Sequence, residues 1–455
     1  NPRDEYSAFK EVDALCFVNG TSDVERLYQG TPLLQVWTSM QGIRLWLFGY
    51  EFPNTAIVMT EKTIYVIASP KKVKLLEEAK PRDGRMDWVF LEYTKANPSL
   101  NKVAFKKAVD GILNSKGGKN VGILPKEVLM GKFAMEWLDV FGDIEDRLLK
   151  VDVSPAVATL LAVKEEDELN ATRTAAKLSS CMMRNCFANE MEEVLDEGKK
   201  VTHEAFSAKV DSALFHSKAA AKYKFPLDAS SELIDWCYTP IIQSGGKYNL
   251  MASAVSNEED LHAGTILCSL GVRYKSYCSN IGRTFLISPT KEQETNYKFL
   301  LTLQKKILDL IRPGAKFADV YSKALQYIRD ERVDLEGHFV KSCGFAMGME
   351  FRDSTRVISP KSTTVIKKDM VIGLSLGFNS LENPKAKSSA GKRYALLVID
   401  TVIVTDNAPE IITSGCKSLD EMCFYFKDVE AAGNKPARDR ESAPPAETSA
   451  PATRR

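Results

Sequence analysis

The residues of this chain that could do chemistry gather between positions 268 and 401, in four segments: CSLGVRYKSYCSNIGRTF (268–285), GFAMG (344–348), MVIGLSLG (370–377) and IDT (399–401). Side-chain type limits what they can do. Ser269, Asn280 and Ser375 offer neutral oxygens, while Phe345 and Ile399 have no lone pair to donate. A pair of divalent cations about 3.5–4 Å apart needs bridging carboxylates and an imidazole to fix its geometry and acidify the attacking water. Metal held by these five side chains would be under-coordinated and its charge uncompensated. The nine cysteines (16, 181, 186, 237, 268, 278, 343, 416 and 423) contain no CxxC pair. Their spacing suits small buried hydrophobes in a reducing compartment better than a zinc site or a disulfide framework.

In order and spacing the four segments resemble the signature of the creatinase, prolidase and methionine aminopeptidase family, the pita-bread fold. There the first segment runs DxG and then SDxxRTF, the second is GHGIG, the third MVxxxEPG and the fourth ends in EDT. The resemblance implies that Ser269 and Asn280 stand at the two aspartate ligands and Phe345 at the histidine. Ser375 then stands at the first glutamate, beside Leu376 at the proline, and Ile399 at the second glutamate. Arg352 falls where a catalytic histidine closes the second segment, and residues 240–260 hold no histidine to supply the other. The implied molecule keeps a peptidase scaffold with all five metal-ligand positions replaced, no catalytic residues and no cofactor.

The elements that must position these residues can be read from pattern. TILCSLGVRY, MVIGLSLGF and YALLVIDTVIVT carry the β-branched and alternating character of buried sheet. A long amphipathic helix is expected from Ala162, with Leu169, Ala176 and Met183 on one stripe and acidic residues in its first turn. Another should open at the capping box Thr290/Gln293 and stop at Pro313-Gly314. Before Pro155 the chain alternates strand-like runs (55–60, 63–69) with helical ones (71–80, 105–115), the mark of an α/β unit. The fold class is therefore α/β and α+β. The domains are an N-terminal creatinase-type α/β domain (1–155), a catalytically dead pita-bread domain (156–426) and a disordered tail or linker (427–455), rich in Pro, Ala, Ser and charge.

Composition bounds the partners. With 455 residues, 61 Lys+Arg and 60 Asp+Glu, the chain is near neutral, so charged recognition must come from patches. No apolar run of about 18 residues and no signal-peptide pattern is present, which points to a soluble intracellular protein without a membrane segment. Asn1 in place of a start methionine suggests a piece of a longer chain.

Several strings narrow the resemblance: WLFGYE (46–51), AVKE (162–165), PIIQSGG (240–246) with YNL (248–250), KSYCSN (275–280) and GMEFR (348–352). They are similar to the N-terminal aminopeptidase-like domains of the large subunits of FACT histone chaperones. That resemblance implies a nuclear, chromosomal protein with core histones and nucleosomes as partners. It also implies the smaller FACT subunit (an HMG or structure-specific recognition protein), bound through regions outside this chain, and replication or transcription factors. Glu350, Asp353 and Asp400 either face basic histone side chains or pair internally with an arginine such as Arg352 or Arg283. Ser69, Lys71 and Lys72, between a strand and a helix, form either a second ligand-binding edge or a solvated basic turn. Three rival functions stay open: an active metallopeptidase with unusual ligands, an RNA-binding pseudo-enzyme, and a module that docks a replication or transcription factor.

Overall fold

A computed structural model describes residues 7–20, 52–80, 84–125, 129–226 and 228–425. The expected disordered tail (427–455) and the WLFGYE string (46–51) lie outside the described residues.

Six strands make the first sheet: β1 (Ala14–Asn19), β2 (Thr55–Met59), β3 (Thr63–Ala68), β4 (Asp87–Glu92), β5 (Asn120–Ile123) and β6 (Leu149–Asp152), in the order β4-β3-β2-β1-β5-β6. The β1–β2 and β2–β3 pairs are antiparallel and the remaining pairs parallel. Both faces are covered, so β2 reads as a nearly continuous apolar run. On one side Phe105, Ile112, Phe133 and Trp137 pack against Val58 and Val121. On the other, Ile57 and Val66 meet Leu76, Val153 and Val157. The helix expected over 105–115 begins earlier, at Pro98. Asn97 caps it by accepting the Leu100 N–H (3.2 Å), and proline at the first position loses no hydrogen bond.

Helix Ser154–Ala162 leads to the second sheet, and the long helix then starts at Glu166, not Ala162, because Glu165 and Glu168 form a reciprocal cap. The helix continues through a wide-turned stretch, Met182–Ala188, whose Met182, Met183, Cys186 and Phe187 are buried. The second helix expected from sequence runs Lys291–Leu310 with the Thr290/Gln293 capping box in place.

The second sheet has nine strands: β7 (Ile234–Gln243), β8 (Thr265–Tyr274), β9 (Tyr277–Cys278), β10 (Ile281–Ile287), β11 (Gly344–Met347), β12 (Val371–Glu382), β13 (Arg393–Ile403), β14 (Glu410–Ile411) and β15 (Cys423–Phe424). The main path is β11-β12-β13-β10-β8-β7, antiparallel throughout. All ten residues of β8 are buried. A large apolar core joins the helical layer to one face of this sheet, with Leu178, Phe187, Phe206, Phe285, Tyr297 and Ile307 among its members. All nine cysteines are free, and six of them are buried. Among the described residues no helix is long and apolar enough to cross a membrane.

Candidate functional site: a cavity at the sheet centre

Strand register decides where the site lies. Ile241 pairs with Ser269, Ser269 with Gly282, Gly282 with Ile399, and Ile399 with Ser375. Directly paired residues share a face, so four adjacent strands and β7 bring one row of side chains to the same surface. Gly282 is the gap in that row. A Cβ there would lie 2.7 Å from the Ile399 side chain, so glycine lets Ile399 lie across the strand.

Phe345, opposite Gly373 on β12, and Asn280, two residues before Gly282, complete the group. All five sequence-selected positions, Ser269, Asn280, Phe345, Ser375 and Ile399, line one cavity of about 660 Å³, inside the ~300–1,000 Å³ range of ligand pockets.

The cavity floor is held by hydrogen bonds and rings. Thr401 receives the Asn280 N–H on its hydroxyl oxygen (2.8 Å) and donates that hydroxyl to the Asn280 carbonyl (2.9 Å). The Tyr238 hydroxyl donates to Asn280 Oδ1 at 2.6 Å, and burial keeps its pKa well above the ordinary value. Phe351 bridges Tyr238 (4.7 Å between centroids) and Phe345 (5.4 Å), making an aromatic wall. Arg352 stacks its guanidinium over Phe345 at 5.6 Å. His338 lines the cavity with its Nδ1–H donated to the Asn379 carbonyl (2.8 Å). Tyr238, Phe351 and Lys341 were not singled out from sequence. The spacing of Phe345 and Phe351 around the second segment was the available signal for the aromatic wall, whereas Tyr238 and Lys341 carried none.

A two-cation centre does not fit these side chains. Two of the five positions are hydrocarbon, the other three are neutral, and no Asp or Glu lines the cavity. Among the described residues no group of three or more His, Cys, Asp and Glu side chains could hold a metal ion.

The candidate carboxylates lie elsewhere. Asp400 must be corrected. It neighbours Ile399 on β13, so it points to the opposite face, where it is fully buried. There it accepts from Arg283 (2.8 Å), Lys417 (2.6 Å), Gln304 (2.8 Å) and Thr413 (3.0 Å). Burial raises its pKa, but Arg283 and Lys417 outweigh that and hold it below the ordinary carboxylate value. Arg283 also donates to the carbonyls of Ile399, Thr413, Gly415 and Cys416, so the RTF arginine is a brace behind the cavity. Asp353 pairs with Arg356 (2.9 Å), which reaches Thr159 on the helix between the two sheets. Asp353 and Glu350 line a smaller recess with Lys164, not the main cavity. Burial there pushes the Lys164 amine down to about 8. Ser69 caps helix Pro70–Ala79 without a side-chain hydrogen bond, Lys71 is exposed, and Lys72 donates to the Pro53 carbonyl. None of these three lines the cavity.

Two family models match the chain. FACT complex subunit SPT16 N-terminal lobe domain covers residues 1–156, and Metallopeptidase family M24 covers 170–406. The N-terminal domain of FACT complex subunit SPT16 from Eremothecium gossypii superposes with a TM-score of 0.82 at 34% identity, over 93% of this chain and 96% of that one. The chain belongs to the family of SPT16 N-terminal domains. FACT complex subunit spt16 of Aspergillus fumigatus is 37% identical over 99% of this chain, which spans 43% of that relative's length. The X-Pro aminopeptidase of Thermotoga maritima has the same fold, with a TM-score of 0.65 at 17% identity over 92% of this chain and 100% of that one.

Proposed function

We propose that this chain is the non-catalytic, peptidase-like domain of a FACT large subunit, acting in the nucleus on core histones or their tails while nucleosomes are reorganised in transcription and replication. The observation that carries the non-catalytic part is the side-chain set of the cavity: a well-formed recess whose five ligand positions offer two hydrocarbon groups and three neutral oxygens. A scaffold of that kind can hold a chain and offers no carboxylate to fix the pair of cations that would activate water against it. Histone contact is supported by kinship with proteins named FACT complex subunits. The charged side chains of the cavity are cationic, which disfavours a lysine-rich tail inside it. Glu350 and Asp353, in the recess beside Lys164, and Ser69, Lys71 and Lys72 in the first domain remain candidate contacts outside it.

A pull-down of purified core histones by this chain across a salt series tests the reading. Histones are expected to be retained near 0.15 M ionic strength and released as salt rises. No retention at any ionic strength overturns histone binding.

A further inference from the structure

Of the cavity's lining side chains, those with a fixed charge are Lys341 and Arg352, and neither makes an ion pair with the described residues. Both are exposed. Arg352 is held in place over the Phe345 ring, which orients its guanidinium while leaving its N–H donors to a guest. The same cavity is lined by the apolar side chains of Leu250, Met251, Phe339, Phe345, Leu397 and Ile399. Gln243, Asn249 and Asn379 also line the cavity, but their side-chain amides are bonded to the backbone of Asn249, Met251, Tyr248 and Ser380, which fixes the rim and leaves the two cations as its charged groups. The lining thus combines apolar side chains with two cations that have no ion-pair partner among the described residues and are carried by separate segments.

From this juxtaposition we infer that the cavity is a docking site for an extended acidic stretch of a partner protein, in which side-chain carboxylates meet Lys341 and Arg352 and an interleaved apolar residue meets the apolar part of the lining. Two cations on different segments fit a passing chain with more than one carboxylate better than a single terminal one. The inference rests on reading the domain as a binding module, and it assigns the cavity to a guest of the opposite charge to a histone tail.

Fluorescence anisotropy provides the test. The probe is a fluorescein-labelled, C-terminally amidated peptide of alternating Glu and Leu, compared with its Lys-for-Glu counterpart and with the free-acid form. The Glu peptide is expected to bind, more weakly as salt rises, and the Lys peptide not to bind. The K341A/R352A double variant should weaken binding about tenfold or more. Both replaced residues are exposed, so its melting curve should be unchanged. K102A/K106A, on a helix of the other sheet, should bind as wild type. Equal or tighter binding of the Lys peptide, binding of the free acid alone, no binding of the Glu peptide, or an unchanged affinity in K341A/R352A each overturns the inference. If histones are retained while the Glu peptide is not, this inference fails alone. If the Glu peptide binds and histones are not retained, the histone reading fails alone.

Discussion

Ile399 and Asp400 are neighbours with opposite tasks, and the difference is one of face. Ile399 lies over Gly282 in the cavity, while Asp400 lies in the core behind it, bound to Arg283 and Lys417. Asp400→Ala should lower the unfolding free energy by about 3–5 kcal/mol in urea titrations, because it leaves a buried guanidinium uncompensated. An unchanged midpoint would refute the brace. The folded-state pKa of Asp400 is lowered, so its stabilisation is present above the unfolded value near 4 and is lost as pH falls through the folded pKa. Ile399→Glu, alone, should destabilise by about 1–3 kcal/mol, since it sets a carboxyl against Leu267, Ala395 and Leu397. Full stability of that variant would mean that the cavity tolerates charge. The period-two alternation of strands was enough to place Asp400 on the far face from sequence. Glu350 and Asp353 were different, because the loop that turns them toward Lys164 and Arg356 has no such periodicity.

At the level of elements, local rules were legible and long-range ones were not. β8 matches the apolar run TILCSLGVRY residue for residue, and the Thr290/Gln293 box opens its helix as expected. Thr290→Ala should cost about 1 kcal/mol, read as a shift in denaturation midpoint; no shift would show that the box contributes nothing measurable there. The helix capped by Asn97 starts before its apolar stripe does, because Pro98, Ser99 and Leu100 are exposed and the buried Asn101 is polar. The row Ile241–Ser269–Gly282–Ile399–Ser375 depends on register between strands, and its central pairing, Gly282 with Ile399, joins residues more than a hundred positions apart in sequence. It was legible only through the order of the four segments.

For the whole molecule, buried thiols contribute to the loss of stability at alkaline pH. Burial pushes Cys16, in the first sheet, up to about 12 and Cys186, under the second, up to about 11. A raised thiol pKa contributes stability that is intact below the unfolded value near 8.5 and is lost as pH climbs toward the folded one. Melting temperature should therefore fall above that pH, and less steeply in Cys186→Ala; parallel slopes would exclude the thiol. The central claim concerns cations. Equilibrium dialysis of the purified chain against Mn, Co or Zn, followed by metal analysis and an assay on proline-containing peptides, tests it most directly. The account predicts well under one equivalent of metal and no hydrolysis, whereas roughly two equivalents with cleavage would contradict it.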